Sequence, residues 1–126
     1  MNDKQDPRNR RYYHGGNAGL PIGQYILPPA ETGADNMADL NPLLRKDRVY
    51  VTKDIAGAMF FASRARNPIV YEVTPVGELE DDPDHNIKGI PFACPKAEII
   101  GLHSVPEAVV RRNRLQMLVA RPVAKP

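Results

Sequence analysis

Tyr12-Tyr13-His14-Gly15-Gly16 is the stretch around which the rest of this chain is organised, because it joins an aromatic pair to a histidine and two glycines. Tyrosines favour β-strands, whereas glycines adopt backbone angles that other residues avoid. The pattern therefore predicts a short strand that ends in a tight turn beside His14. A histidine at a strand end, next to backbone that no side chain covers, is a candidate binding or catalytic residue.

A second strand is predicted at residues 48–52, where apolar and polar side chains alternate. Two valines would face the core and Tyr50 the opposite side. Thr52 can cap the helix that follows, and Asp54 would lie in its first turn, where the helix dipole favours a carboxylate. One apolar stripe is predicted along this helix, formed by Ile55, Ala58, Met59 and Ala62.

The remaining pattern predicts further short elements. Residues 22–27 are typical of a short extended segment, and 69–74 have the clearest strand pattern of the chain. Residues 97–102 are rich in isoleucine, which favours a central strand. A Ser-x-x-Glu capping box at 104–107 predicts a helix over 105–119. The 13 prolines and 9 glycines, spread along the chain, favour many short elements joined by turns rather than a helical bundle.

The length of 126 residues suits one domain, which we place at 10–120 between a disordered arm (1–9) and a disordered tail (121–126). Residues 28–42 lack periodicity, and a loop of about fifteen residues is a candidate lid over a ligand. The polar N-terminus has no apolar signal region, and no stretch approaches the roughly 18 apolar residues of a membrane helix. We expect a cytoplasmic protein without a membrane partner.

Several standard sites are excluded by spacing. The glycines fit neither G-x-G-x-x-G nor the P-loop pattern, and the three histidines and Cys94 form no zinc-binding pair, so no metal site is predicted. Cys94 has no partner for an internal disulfide and no signature of a thiol nucleophile. We interpret it as a small buried apolar residue.

One candidate site remains, in which we expect His14, Tyr50 and an aspartate of the acidic turn 80–83 to come together. Backbone beside glycine lets a planar amide approach closely, and a tyrosine ring offers a stacking surface. Cleavage at a ribose anomeric carbon builds positive charge, which a fixed carboxylate stabilises. Either Asp81 or Asp82 can supply that carboxylate. The pattern indicates a protein that binds and cleaves a charged nucleotide.

The order of these motifs resembles that of a known family. Tyr13-His14-Gly15 comes first, 49–52 then lead into a helix, 69–75 follow, and Gly77 precedes Glu80-Asp81-Asp82-Pro83. This order, over about residues 12–105, is similar to that of the rifamycin (rifampin) ADP-ribosyltransferases, of the His-Tyr-Asp type. The resemblance implies a compact α+β fold, with a split antiparallel β-sheet core and one or two flanking helices. It also implies NAD as co-substrate and an NAD-dependent glycosyltransferase that confers antibiotic resistance.

The resemblance assigns roles to individual residues. His14, Tyr50 and Asp82 match the catalytic His-Tyr-Asp, and the implied donor-binding residues are His14, Gly15, Gly16 and Tyr50. His14 would hold the nicotinamide-side ribose, Gly15 the carboxamide through its backbone, and Tyr50 the nicotinamide ring. Asp82 would stabilise the cation and orient or deprotonate the acceptor hydroxyl. Gly16 stands where the family usually has a threonine.

The acceptor remains open at this point. A mono-ADP-ribosyltransferase of this kind releases nicotinamide and transfers ADP-ribose to an acceptor hydroxyl, which a rifamycin antibiotic can provide. Arginine clusters at 8–11 and 111–114 leave a protein or nucleic acid acceptor as an alternative, although the net charge of +2 does not by itself indicate nucleic-acid binding. A non-catalytic module that binds NAD or ADP-ribose is the alternative from another class.

Overall fold

The computed structural model of the chain describes residues 11–32, 47–82 and 89–120. Its strands are β1 (Tyr12–Asn17), β2 (Tyr25–Ile26), β3 (Val49–Thr52), β4 (Pro68–Val76), β5 (Glu80–Asp81), β6 (Pro91–Cys94) and β7 (Lys96–Ser104). Its helices are α1 (Pro29–Thr32), α2 (Ile55–Ala62) and α3 (Glu107–Ala120). The predicted arm at 1–9, the predicted tail at 121–126 and residues 33–42 of the predicted lid lie outside the described residues.

The seven strands form an antiparallel sheet in the order β2-β7-β4-β1-β3-β6-β5. β1 pairs with β4 at six positions but with β3 only where Tyr13 lies opposite Thr52. The sheet therefore consists of two parts, β2-β7-β4-β1 and β3-β6-β5, which meet at one narrow junction. The predicted α+β class is confirmed, with three helices in the described residues where one or two were expected.

Apolar side chains cover both faces of β4, and on one face the cluster extends to β3 and β6. On one face the main core cluster contains Ile26, Val49, Val51, Tyr71, Val73, Cys94, Ala97 and Ile99. On the other face α2 packs its two buried alanines, Ala58 and Ala62, against Val70 of β4. The predicted alternation of β3 is confirmed, because Val49 and Val51 are buried while Tyr50 between them is half-buried.

The turn predicted at Gly15 and Gly16 is wrong. β1 continues through both residues, which lie opposite Val70 and Ile69 of β4 in regular register. Their φ angles are not positive, unlike those of the loop glycines at 19, 23, 77 and 89. Position 15 requires glycine for another reason, which is the close approach of α2. A Cβ built at Gly15 would lie 2.1 Å from the carbonyl oxygen of Ala58. Only glycine allows the helix to pack this close to the strand.

Both ends of α2 are satisfied by side chains. Asp54, which was expected in the first turn, is the N-cap and accepts a hydrogen bond from the Ala56 N–H. The predicted cap Thr52 instead accepts from the Asp54 N–H, at 3.1 Å. At the other end, Arg114 of α3 donates from Nε to the Ser63 carbonyl at 2.8 Å. A cation at this end complements the helix dipole, so α3 fixes the C-terminal end of α2.

Five other elements differ from the sequence-based prediction. The acidic segment 80–83 was predicted as a turn, but its first two residues form the strand β5, which pairs with β6. β6 was not predicted, and β2 covers only two of the residues 22–27, because a turn occupies Ile22 and Gly23. The first turn of the predicted lid is the short helix α1. α3 begins at Glu107, two residues later than predicted, because β7 continues to Ser104.

The interpretation of Cys94 is confirmed. Its side chain is fully buried, and burial raises the pKa of the thiol to about 11. The thiol therefore stays protonated and is a poor nucleophile. Within the described residues, no helix is long and apolar enough to cross a membrane.

Candidate functional site

His14 lies in β1, one residue beyond the only position at which β1 pairs with β3. Its Nδ1 atom lies 2.8 Å from the carbonyl oxygen of Tyr50 in β3. Because a carbonyl oxygen can only accept a hydrogen bond, Nδ1 carries the hydrogen and donates it. The side chain of one strand thus bridges to the backbone of the other, just where the ladder between them ends.

The protonation of His14 follows from its surroundings. Burial lowers the pKa of the imidazole, and the hydrogen bond to the Tyr50 carbonyl opposes this only in part. The ring is therefore neutral at pH 7, with its hydrogen on Nδ1, so that Nε2 is left as an acceptor. A Cβ built at Gly16 would lie 3.6 Å from Nε2, so Gly16 leaves this atom uncovered on that side. A ribose hydroxyl is a donor that suits such an acceptor.

Tyr50 lies in β3 between two buried valines and is itself half-buried. Its backbone is fixed on both sides, because it is registered opposite Ala93 of β6 and its carbonyl oxygen accepts from His14. A ring on a rigid strand is a better stacking surface than one on a loop, because little conformational entropy is lost on binding.

The two aspartates of the acidic segment, Asp81 at the end of β5 and Asp82 directly after it, have different surroundings. Asp81 is exposed, and its Oδ1 accepts a hydrogen bond from the Gly89 N–H at 2.9 Å. Asp82 is half-buried, and its N–H donates to the Pro91 carbonyl oxygen at 3.1 Å, which extends the pairing of β5 with β6 by one residue. Asp81, the last residue of β5, therefore also holds the returning chain at Gly89. The backbone of Asp82 continues the pairing with β6.

The sheet register relates Asp82 to the other two residues. Asp82 meets Pro91, Pro91 is opposite Thr52, and Thr52 is opposite Tyr13, the neighbour of His14. This row of four residues spans three strand spacings, or about 14 Å. Asp82 lies about 10 Å, or two spacings, from the strand of Tyr50. The structure thus brings the His14 side chain into contact with the backbone of Tyr50, and it places Asp82 beside β6, two strands away from β3.

One feature of this region was missed by sequence reasoning. Arg48 Nε lies 3.1 Å from Glu80 Oε1, although 32 residues separate them. The only signal in the sequence is that each lies two positions before a candidate site residue, Arg48 before Tyr50 and Glu80 before Asp82. Among the described residues there is no group of three or more side chains that can hold a metal ion.

Comparison with protein families identifies a relative for most of the chain. The model of a family described as rifampin ADP-ribosyl transferase matches residues 12–97, which is more than half of the 126 residues. A comparison with curated proteins gives no match. The match includes β1, β3, β5 and β6, the strands that carry the site described above. The chain therefore belongs to the rifampin ADP-ribosyl transferase family and is a transferase that uses NAD as its ADP-ribose donor and rifampin as its acceptor.

Proposed function

We propose that His14, Tyr50 and Asp82 are the catalytic residues of this transferase, and that NAD binds where β1 separates from β3. The hydrogen bond from His14 Nδ1 to the Tyr50 carbonyl oxygen carries this proposal. It joins two of the three residues across the junction and leaves His14 Nε2 as an acceptor beside Gly16. Both the geometry and the neutral imidazole suit the binding of an uncharged hydroxyl group.

The nicotinamide riboside half of NAD occupies this junction in our proposal. A ribose hydroxyl donates to His14 Nε2, and the nicotinamide ring stacks on Tyr50. The carboxamide bonds to the backbone of Gly15 or Gly16. The end of the β1–β3 ladder at Tyr13 supports this placement, because β1 beyond that residue is not paired with β3. Unpaired strand edges recognise planar amides through backbone hydrogen bonds.

The reaction then breaks the bond between the anomeric carbon and the nicotinamide nitrogen. The bonding electrons go to that nitrogen, which neutralises the pyridinium, and the ribose is left as an oxocarbenium-like cation. The Asp82 carboxylate stabilises this cation electrostatically. A hydroxyl oxygen of rifampin forms the new bond to the anomeric carbon, and Asp82 accepts the hydroxyl proton. The products are nicotinamide and ADP-ribosylated rifampin.

The choice of Asp82 over Asp81 rests on their different partners. The Asp81 carboxylate is exposed and already accepts the Gly89 N–H. Asp82 is half-buried, and partial exclusion of water strengthens the interaction of a carboxylate with a developing positive charge. Its backbone N–H is held by the Pro91 carbonyl oxygen, so the backbone that carries the carboxylate is fixed to β6.

The acceptor and the role of the site are tested together by incubating the purified protein with NAD and rifampin. We expect nicotinamide release and a rifampin adduct with the added mass of one ADP-ribose unit, both detected by mass spectrometry. The same incubation with His14→Ala should lose both signals, because the ribose loses its acceptor. Nicotinamide release without a rifampin adduct would point to a protein or nucleic acid acceptor. NAD binding without nicotinamide release would show a binding module instead.

A further inference from the structure

A partly buried ion pair links the strand of Tyr50 to the strand of Asp82. Arg48 Nε donates to Glu80 Oε1 at 3.1 Å, and the exposed fractions of the two side chains are 26% and 39%. Arg48 NH1 also donates to the Asp47 carbonyl oxygen at 3.2 Å, so the guanidinium is held from two sides. The pair is therefore a contact between the beginning of β3 and the edge strand β5.

The two side chains of this pair come from strands that are not neighbours in the sheet, so their contact reaches across the strand between them. β6 lies between β3 and β5, and Ala93 of β6 is registered opposite both Tyr50 and Glu80. Ala93 has a small side chain, which lets a long side chain on either neighbouring strand reach across it. Glu80 uses this space to meet Arg48.

The pair lies on the same face of the sheet as two of the proposed catalytic residues, Tyr50 and Asp82, because Tyr50 and Glu80 are both registered opposite Ala93. Side chains two residues apart on a strand point to one face. Arg48 therefore shares a face with Tyr50, and Glu80 shares a face with Asp82. β5 is an edge strand of two residues, and in the described chain it is registered only with β6. Besides the hydrogen bonds of Asp81 and Asp82, the Arg48–Glu80 pair adds a side-chain contact that reaches from β5 past β6 to the beginning of β3.

We infer that Arg48 and Glu80 are positioning residues, which hold the Asp82 carboxylate at its working distance from the nicotinamide on Tyr50. This inference rests on the function proposed above. Neither side chain touches a reacting atom. Their effect on the reaction comes from the geometry of β5 relative to β3, and a displacement of a catalytic group by about 1 Å can cost about 100-fold in rate.

The test compares Arg48→Ala, Glu80→Ala and the double variant in nicotinamide release from NAD. We expect each single variant to lower kcat about 10- to 100-fold with little change in KM for NAD, since donor binding is unaffected. The double variant should be no slower than the singles, because both act through one contact. Arg48→Lys, which keeps the positive charge, should recover part of kcat.

A matched control is the Glu107–Arg111 pair of α3, with a distance of 3.3 Å between Arg111 NH2 and Glu107 Oε1. Arg111→Ala removes an ion pair outside the site and should leave kcat unchanged. The thermal unfolding of every variant is recorded, because a purely structural role would lower Tm and leave the kcat of the folded fraction intact. That result, or multiplicative losses in the double variant, would overturn the inference.

Asp82→Asn is measured in the same assay, so that a failure of the positioning role can be distinguished from a failure of the catalytic proposal. If Asp82→Asn loses activity while Arg48→Ala and Glu80→Ala keep their full kcat, the positioning role is wrong and the catalytic proposal stands. If Asp82→Asn keeps its activity, the catalytic proposal is wrong, and the positioning role is wrong with it.

Discussion

Replacing Asp82 by asparagine is expected to slow nicotinamide release about 100- to 1000-fold while NAD still binds with nearly unchanged affinity. The magnitude is typical of removing one group that stabilises a developing charge in an active site. Asparagine has almost the shape of aspartate but no negative charge, so the oxocarbenium-like cation loses its counter-charge. Single-turnover nicotinamide release and calorimetric NAD titration measure the two quantities separately.

Asp81→Asn is the matched control for this prediction, because the two aspartates are adjacent and chemically identical. Its exposed carboxylate accepts the Gly89 N–H, and an asparagine oxygen can accept the same hydrogen bond. We expect this variant to keep its rate within about 3-fold, as for surface changes that preserve their contacts. A large loss in Asp81→Asn with an active Asp82→Asn would assign the catalytic carboxylate to Asp81.

Gly15→Ala should lower the free energy of unfolding by about 3 kcal/mol, at the upper end of the cost of overpacking a core. The added Cβ would lie 2.1 Å from the Ala58 carbonyl oxygen and 2.7 Å from the Ala62 backbone nitrogen. Both atoms belong to the backbone of α2, so no side-chain rotation relieves the clash. The helix must move away from β1, and the contact between His14 and Tyr50 beside it is disturbed. Urea denaturation and nicotinamide release measure the two effects.

Gly16→Ala is the control at the next position. Its Cβ would meet only side-chain atoms, at 3.6 Å or more, which is ordinary van der Waals contact. The substitution also reduces the freedom of the unfolded chain, so the stability should change by less than about 1 kcal/mol. Equal destabilisation by both alanines would mean that the close approach of α2 is not what requires Gly15.

The parts of the fold that follow from local periodicity could be predicted from the sequence. The alternation of apolar and polar residues around Tyr50 predicts which face of β3 is buried, and the apolar stripe of α2 predicts which face of the helix is buried. Both predictions are confirmed. β4 was predicted as a strand, although it is buried on both faces. These features depend on neighbouring residues only, which is why the sequence contains them.

The parts that were wrong or missed depend on contacts between distant residues. Two adjacent glycines are as typical of a turn as of a strand against which another element packs closely. Only the position of α2 shows that Gly15 allows such close packing. The hydrogen bond between His14 and Tyr50 joins residues 36 positions apart. The Arg48–Glu80 pair depends on which strands flank β6. The candidate residues were found through family motifs, whereas their arrangement required the sheet register.

The most direct test of the central claim is a crystal structure of the protein with NAD bound. Our account predicts the nicotinamide ring stacked on Tyr50, a ribose hydroxyl within about 3 Å of His14 Nε2 and the Asp82 carboxylate facing the anomeric carbon. NAD bound away from the junction of β1 and β3, or an Asp82 carboxylate pointing away from the ribose, would contradict it.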